Sequence, residues 1–282
     1  MIKEKAYGKI NLTLSVGEKR EDGYHDIDSV MHSISLHDEI TLEKADVLSL
    51  DIRSGDAPAG MDNLMMKAAS LFLKEKGIKG GVRMTLRKSI PSEAGMGGGS
   101  SDAAAVLRGL SRLYETEDTL DMLAAMGEKL GADVPFCVMG GACRCEGIGE
   151  RLTAITPWDG LPLLIIRPDV SISTAAAYRR LDEKEEKAED RTELCITALK
   201  ARDRMLLAES LVNDFETALL PAEKKLKETA DLLSSFSRPF LMTGSGSAFF
   251  MILEGNEGDD IREEIKSRHP GWFVERASLI SR

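Results

Sequence analysis

The chain has 282 residues, of which 43% are apolar. That is enough for a substantial core, suggests roughly two domains at about 150 residues each, and excludes collagen, coiled coil and disordered tail. Lys and Arg number 37 against 47 Asp and Glu, a net charge of −10 with a pI near 5.1. No broad basic face is therefore available to neutralise a phosphate backbone, and nucleic acid is not an expected partner. The longest apolar runs, at 161–166 and 248–253, fall far short of the ~20 residues a membrane-spanning helix needs.

The opening MIKEKAYGKI carries charges where a signal peptide places its apolar stretch, so a cytoplasmic protein is expected. Ile10, Leu12, Leu14 and Val16 alternate with Lys9, Asn11, Thr13 and Ser15, the period of a strand with one apolar and one polar face. Lys9 and Asn11 therefore share a face. A turn at Glu21-Asp22-Gly23 and a second strand near 29–36 complete a hairpin. Leu64, Ala68, Leu71 and Phe72 form one stripe of a helix over 63–76 that stops near Gly77, with Asn63 placed to cap it. Val82, Met84 and Leu86 mark another strand, and Ala103, Val106, Leu107 and Leu110 a helix beyond a glycine-rich stretch. A further helix spans about 119–130, before Gly131.

Pro157, Gly160 and Pro162 interrupt the pattern before a new apolar strand at Leu163, which puts a domain boundary near residue 153. Residues 182–193 are almost entirely charged and read as a solvated loop or exposed helical turn. Helices near 192–203, 205–219 and 222–234 lead to strands at 240–243 and 248–253. Cys137, Cys143, Cys145 and Cys195 contain no CxxC pair. Cys143 and Cys145 point the same way at strand spacing, which suits a metal ligand pair as well as two buried reduced thiols, and no metal site is assigned.

The most informative segment is PSEAGMGGGSSDAAA at 91–105, a glycine loop between a strand and a helix N-terminus. Glycine lets backbone amides approach an anion, and the helix start adds unpaired donors and partial positive charge, so the loop suits a triphosphate. The hydroxyls of Ser100 and Ser101 are in place to cap the helix, or to reach phosphate oxygens or a phosphate-bound Mg²⁺. No Lys follows the glycines as a Walker loop requires, and Ser100 stands where a GxGxxG motif needs its last glycine.

Together with AYGKINLTL near the start, DGYH at 22–25, GADVPF at 131–136, GIGE at 147–150, NDFE at 213–216 and TGSGSAFF at 243–250, this loop resembles the GHMP-type small-molecule kinases over the whole chain. The resemblance implies an α+β fold with an N-terminal ribosomal-S5-like domain (1–153) carrying the ATP loop and a C-terminal ferredoxin-like domain (154–282). It implies Asp133 as catalytic base and Lys9 as its charged partner. ATP contacts would come from Asn63 and from Pro91, Ser92, Glu93, Ala94, Gly95, Met96, Gly97, Gly98, Gly99, Ser100 and Ser101. Mg²⁺ would travel with the nucleotide. DGYH together with GADVP further implies that the acceptor is 4-diphosphocytidyl-2-C-methyl-D-erythritol, its 2-hydroxyl taking the γ-phosphoryl group. Tyr24 and Tyr178 would then hold the cytosine, His25 would bond its edge, and Asn11, Gly244 and Ser245 would contact substrate.

Met96 replaces the usual Leu of the loop, and Glu93 brings an acidic residue close to the phosphates, where it faces solvent or acts through Mg²⁺. Rival readings are another GHMP kinase, acting on homoserine or mevalonate, and a non-catalytic nucleotide-binding relative. The first has no need of a cytosine slot, and the second has no need of a base beside the acceptor. Monomer and weak homodimer are both compatible with the sequence.

Overall fold

Alternation at the start of the chain continues well beyond its apolar residues. In the computed structural model, which describes residues 1–184 and 188–281, β1 runs Ile2–Lys19 and β2 His25–Ala45. The expected turn joins them. The Gly23 amide donates to the Arg20 carbonyl (3.0 Å) and the Arg20 amide to the Tyr24 carbonyl (2.7 Å), with Gly23 at φ 88°. From Gly8 to Leu14 every residue of β1 is buried, so its polar face is as enclosed as its apolar one.

The chain forms two compact units, each assembled from several segments. That partition follows contacts in space, whereas the boundary expected near residue 153 divides the chain in order of sequence.

The first unit comprises Met1–Lys9, Leu36–Ser92 and Gly97–Gly140. It contains β3 (Ser49–Ser54), α1 (Leu64–Glu75), β4 (Gly81–Arg87), α2 (Gly98–Tyr114), α3 (Leu120–Glu128) and α4 (Val134–Met139). β4 pairs antiparallel with Glu39 to Ala45 of β2 and parallel with β3. The core gathers Phe72, Leu86, Val106, Leu107, Leu110 and Val134. α2 lies close on the sheet because Gly109 has no side chain: a Cβ there would sit 2.2 Å from Leu42 Cδ1. Thr119 caps α3, accepting from the Met122 amide.

The second unit comprises Ile10–Ser35, Glu93–Met96 and the chain from Gly141 onward. β5 (Ala142–Gly147) pairs with β2 and with β6 (Arg151–Ala154). β7 (Pro162–Arg167), β9 (Phe240–Met242), β10 (Phe249–Ile252) and β11 (Phe273–Ser278) form a separate antiparallel sheet in the order β11-β7-β10-β9. Counted along the chain, the spatial order is fourth, first, third, second, the ferredoxin-like arrangement. α5 (Thr174–Asp182), α6 (Thr192–Ala201), α7 (Arg204–Ser210), α8 (Asp214–Leu219) and α9 (Lys224–Ser234) separate β7 from β9, and α10 (Gly258–Arg268) precedes β11. Part of the expected charged segment 182–193, residues 185–187, lies outside the described residues. No helix among the described residues is long and apolar enough to cross a membrane.

One expected element is broken. The helix anticipated over 205–219 divides into α7 and α8 around a two-residue strand, β8 (Val212–Asn213), which pairs parallel with Thr13 and Leu14 of β1. Helical periodicity gives way because Asn213 does three things there. Its Oδ1 caps α8 by accepting from the Phe215 amide (3.0 Å), and its Nδ2 donates to the carbonyls of Met242 (2.7 Å) and Gly244 (2.9 Å). Asn213→Ala should leave these buried groups unpaired and cost about 2–4 kcal/mol in denaturant unfolding. A loss below about 0.5 kcal/mol would contradict that role.

Candidate active site

The glycine loop takes the conformation that its composition allows. Gly95 (φ 73°) and Gly97 (φ 65°) are left-handed, and so is Glu93 at φ 51°. Gly97 is the N-cap of α2 and has no side chain to cap it, so the first amides, which have no carbonyl partner within any helix, gain none from the cap residue. Met96 is buried and Glu93 exposed. The hydroxyls of the loop divide their duties. Ser92 donates to the Asp56 carbonyl (2.7 Å) and Ser101 to the Tyr7 carbonyl (2.7 Å), which commits both to the fold, while Ser100 is half-buried. Asn63 is spent on capping: its Oδ1 accepts from Met65 N (2.8 Å) and its Nδ2 donates to the Pro58 carbonyl (2.9 Å).

Two backbones meet at Gly95. A Cβ on Gly95 would lie 2.1 Å from the Thr243 carbonyl oxygen, and one on Gly244 (φ 57°) would lie 2.8 Å from the Gly95 oxygen. Thr243 Oγ1 donates to the Gly95 carbonyl at 3.3 Å and accepts from the Asn11 amide at 3.0 Å. The turn TGSGS is thus seated against Gly95 of the glycine loop, with glycine on both sides. Asn11 is buried, donating from Nδ2 to Ser29 Oγ at 2.8 Å, and Ser245 Oγ lies 3.0 Å from Thr174 Oγ1.

Lys9 and Asp133, which the resemblance implied as partners, come together. Lys9 Nζ is 3.8 Å from Asp133 Oδ2, with the lysine side chain 4% exposed and the aspartate 34%. Asp133 stands at the N-cap of α4 but makes no side-chain cap bond, so its carboxylate is turned to other use. Gly97 keeps the space over the pair open: a Cβ there would fall 3.2 Å from Lys9 Cγ and 3.8 Å from Asp133 Oδ2. Cys137, one helical turn on from Asp133, has its thiol pushed up to about 12 by burial and by Asp133, which rules it out as a nucleophile.

Sequence reasoning missed the charge cluster beneath the loop. Lys88 Nζ bonds Asp38 Oδ2 (2.6 Å) and Asp102 Oδ2 (2.8 Å), all three side chains being at most 5% exposed. Asp38 Oδ1 also accepts the amides of Ser89 and Ile90. The ammonium lies 3.1 Å from where a Gly98 Cβ would be, at the first residue of α2. Lys88 therefore reaches the loop from the strand side, although no lysine follows the glycines in sequence. Asp102 Oδ1 is buried without a hydrogen-bond partner. Burial outweighs the attraction of Lys88 and, with repulsion from Asp38 added, pushes its carboxyl up to about 8.

The aromatic residues are arranged differently from a simple pair of tyrosines. His25 stacks on Tyr178 (centroids 4.8 Å apart, planes at 19°), and Tyr178 meets Phe215 edge-on at 4.9 Å. Tyr24 is 60% exposed, its amide donating to Asp22 Oδ1 at 3.0 Å. Cys143 and Cys145 are buried in β5, and burial pushes the Cys143 thiol up to about 11.

Residues 63–141 match the model for the GHMP kinase N-terminal domain. A protein of Clostridium tetani named 4-diphosphocytidyl-2-C-methyl-D-erythritol kinase is 40% identical over 279 residues, covering 98% of this chain and 99% of its own. This chain belongs to that kinase family. A relative of the same name from Caldicellulosiruptor saccharolyticus is 39% identical over 251 residues, covering 88% of this chain and 87% of its own. The crystal structure of a 4-(cytidine 5'-diphospho)-2C-methyl-D-erythritol kinase superposes with a TM-score of 0.82 at 33% identity, covering 98% of this chain and 99% of that one. The protein is a small-molecule kinase of the GHMP type, and it uses ATP.

The cluster under the glycine loop gives this kinase a pH signature. Between about pH 4 and 8 native Asp102 keeps a proton that the unfolded chain has released, so its contribution to stability falls as pH rises through that window and levels off above about 8. Denaturant unfolding at pH 5.5, 7 and 8.5 should show the stability of wild type relative to Asp102→Asn declining with pH. A difference independent of pH would remove the proton from Asp102.

Proposed function

We propose that the protein transfers the γ-phosphoryl group of ATP to the 2-hydroxyl of 4-diphosphocytidyl-2-C-methyl-D-erythritol, giving the 2-phosphate and ADP, a step toward isopentenyl diphosphate in the cytoplasm. The relatives' names supply the substrate. The observation that carries the chemistry is the Lys9–Asp133 pair, held under an open glycine at the end of the phosphate loop.

The glycine loop at 91–101 takes the nucleotide through its backbone, with phosphate oxygens at the first amides of α2, while the Asn63 side chain stays with its cap. As the acceptor oxygen bonds to the γ-phosphorus, the bond to the β–γ bridging oxygen breaks and ADP leaves with its electron pair. The hydroxyl proton passes to Asp133. A carboxylate is a weak base for an alcohol, but a loose phosphoryl-transfer transition state needs its proton acceptor only late. Lys9 orients that carboxylate and offsets the charge spreading over the γ-phosphoryl oxygens. Mg²⁺, when bound, neutralises charge on the β- and γ-phosphates. It would travel with the nucleotide, and among the described residues no group of three or more His, Cys, Asp or Glu is gathered as a separate metal cage. Tyr24, His25 and Tyr178 form the base subsite, where stacking is worth roughly 1–3 kcal/mol per base, and Asn11, Gly244 and Ser245 complete the substrate contacts.

Asp133→Asn should lower kcat by about 1,000-fold while leaving the Kd of ATP within about twofold. Lys9→Ala should lower kcat by a similar factor. Turnover of Asp133→Asn near the wild-type rate would remove the base from the mechanism, and a Lys9→Ala effect confined to KM would contradict a transition-state role.

A further inference from the structure

Tyr178 and Asp182 lie one turn apart on α5 and share a face of it. Both reach His25. The imidazole stacks on Tyr178, and its Nε2 lies 2.6 Å from Asp182 Oδ1. Asp182 Oδ2 takes a second hydrogen bond from Lys19 Nζ at 3.2 Å. Burial opposes ionisation of Asp182, but the bonds from Lys19 and His25 prevail and hold its carboxyl below the usual aspartate value. An ionised carboxylate only accepts, so the proton between the two residues belongs to Nε2. In the neutral ring Nδ1 is then an acceptor, and among the described residues no group hydrogen-bonds it.

We infer that Asp182 is a positioning residue that fixes the Nε2–H form of His25, so that Nδ1 selects a pyrimidine bearing a 4-amino group. The inference rests on the assignment of His25 to the base subsite made above. Cytosine presents an amino donor where uracil presents a carbonyl acceptor. Nδ1 accepts from the first and meets the second lone pair to lone pair, leaving polar groups unpaired, a far stronger ground for rejection than a lost apolar contact. A base bonded in the imidazole plane also lies parallel to Tyr178, so the stack that orients His25 extends to the ligand.

Asp182→Asn tests this. The Lys19 ammonium only donates, so it takes the amide oxygen and turns the amide nitrogen toward Nε2; the ring proton then moves to Nδ1, which becomes a donor. We would measure kcat/KM for 4-diphosphocytidyl-2-C-methyl-D-erythritol and for its uridine counterpart at saturating Mg-ATP in both proteins. Histidine nitrogen-15 shifts would report the His25 tautomer, and thermal melting would report folding. The wild type should prefer the cytidylyl substrate by about 100-fold. D182N should lose about tenfold of that preference through KM, with KM for ATP unmoved and the proton relocated to Nδ1. An unchanged preference in folded D182N overturns the inference, and so does a wild-type His25 protonated at Nδ1, whether or not the variant folds. A wild type that phosphorylates neither substrate overturns the substrate reading itself, a result distinct from both.

Discussion

A lysine taken out of water needs a carboxylate close by, and a carboxylate that is to accept a proton from substrate must keep one side open. The geometry of Lys9 and Asp133 suits both demands, which is what supports the proposed role of Asp133 as base. The lysine is enclosed on a strand whose two faces are buried, while the aspartate, at a helix start where it makes no capping bond, stays one-third exposed. Any side chain at position 97 would crowd the pair. The glycine that lets the loop turn is therefore also the residue that leaves room beside Lys9 and Asp133.

Glycine serves a second purpose at Gly95 and Gly244. There the gain is backbone against backbone, with the TGSGS turn resting on the phosphate loop at distances that no Cβ permits. Asn213 and Glu216 hold that turn from behind. The first binds the Met242 and Gly244 carbonyls, and the second accepts the Met242 amide at 2.8 Å with a carboxyl that burial pushes up to about 7. NDFE thus acquires a physical meaning as the clamp on the strand leading into the turn.

Local signals in the sequence were read well where a residue's partner lies nearby or its periodicity is strong. β1, α1, β4, α2 and the Gly23 turn fall in this class, as does the glycine loop, whose left-handed glycines follow from its composition. Three kinds of feature were hidden. The 205–219 helix divides because a long-range pairing of Val212 and Asn213 with β1 outweighs its periodicity. Lys88 stands before the loop and looks like an ordinary strand-end lysine until Asp38 and Asp102 are folded around it. Asp182 sits in a charged run that reads as solvated, and its bonds to His25 and Lys19 join positions far apart in the chain. Asn63 shows the converse, since the capping role legible in sequence is the one its side chain performs.

The acceptor is the most direct point of attack. Purified protein with Mg-ATP would be offered 4-diphosphocytidyl-2-C-methyl-D-erythritol, homoserine and mevalonate in parallel, with ADP release followed in each. We expect release with the cytidylyl alcohol alone, accompanied by a phosphate at its 2-position. Release with homoserine or mevalonate would leave the fold and the phosphate loop standing but contradict the base subsite, and tight ATP binding without release in any arm would contradict the assignment of Lys9 and Asp133 to catalysis.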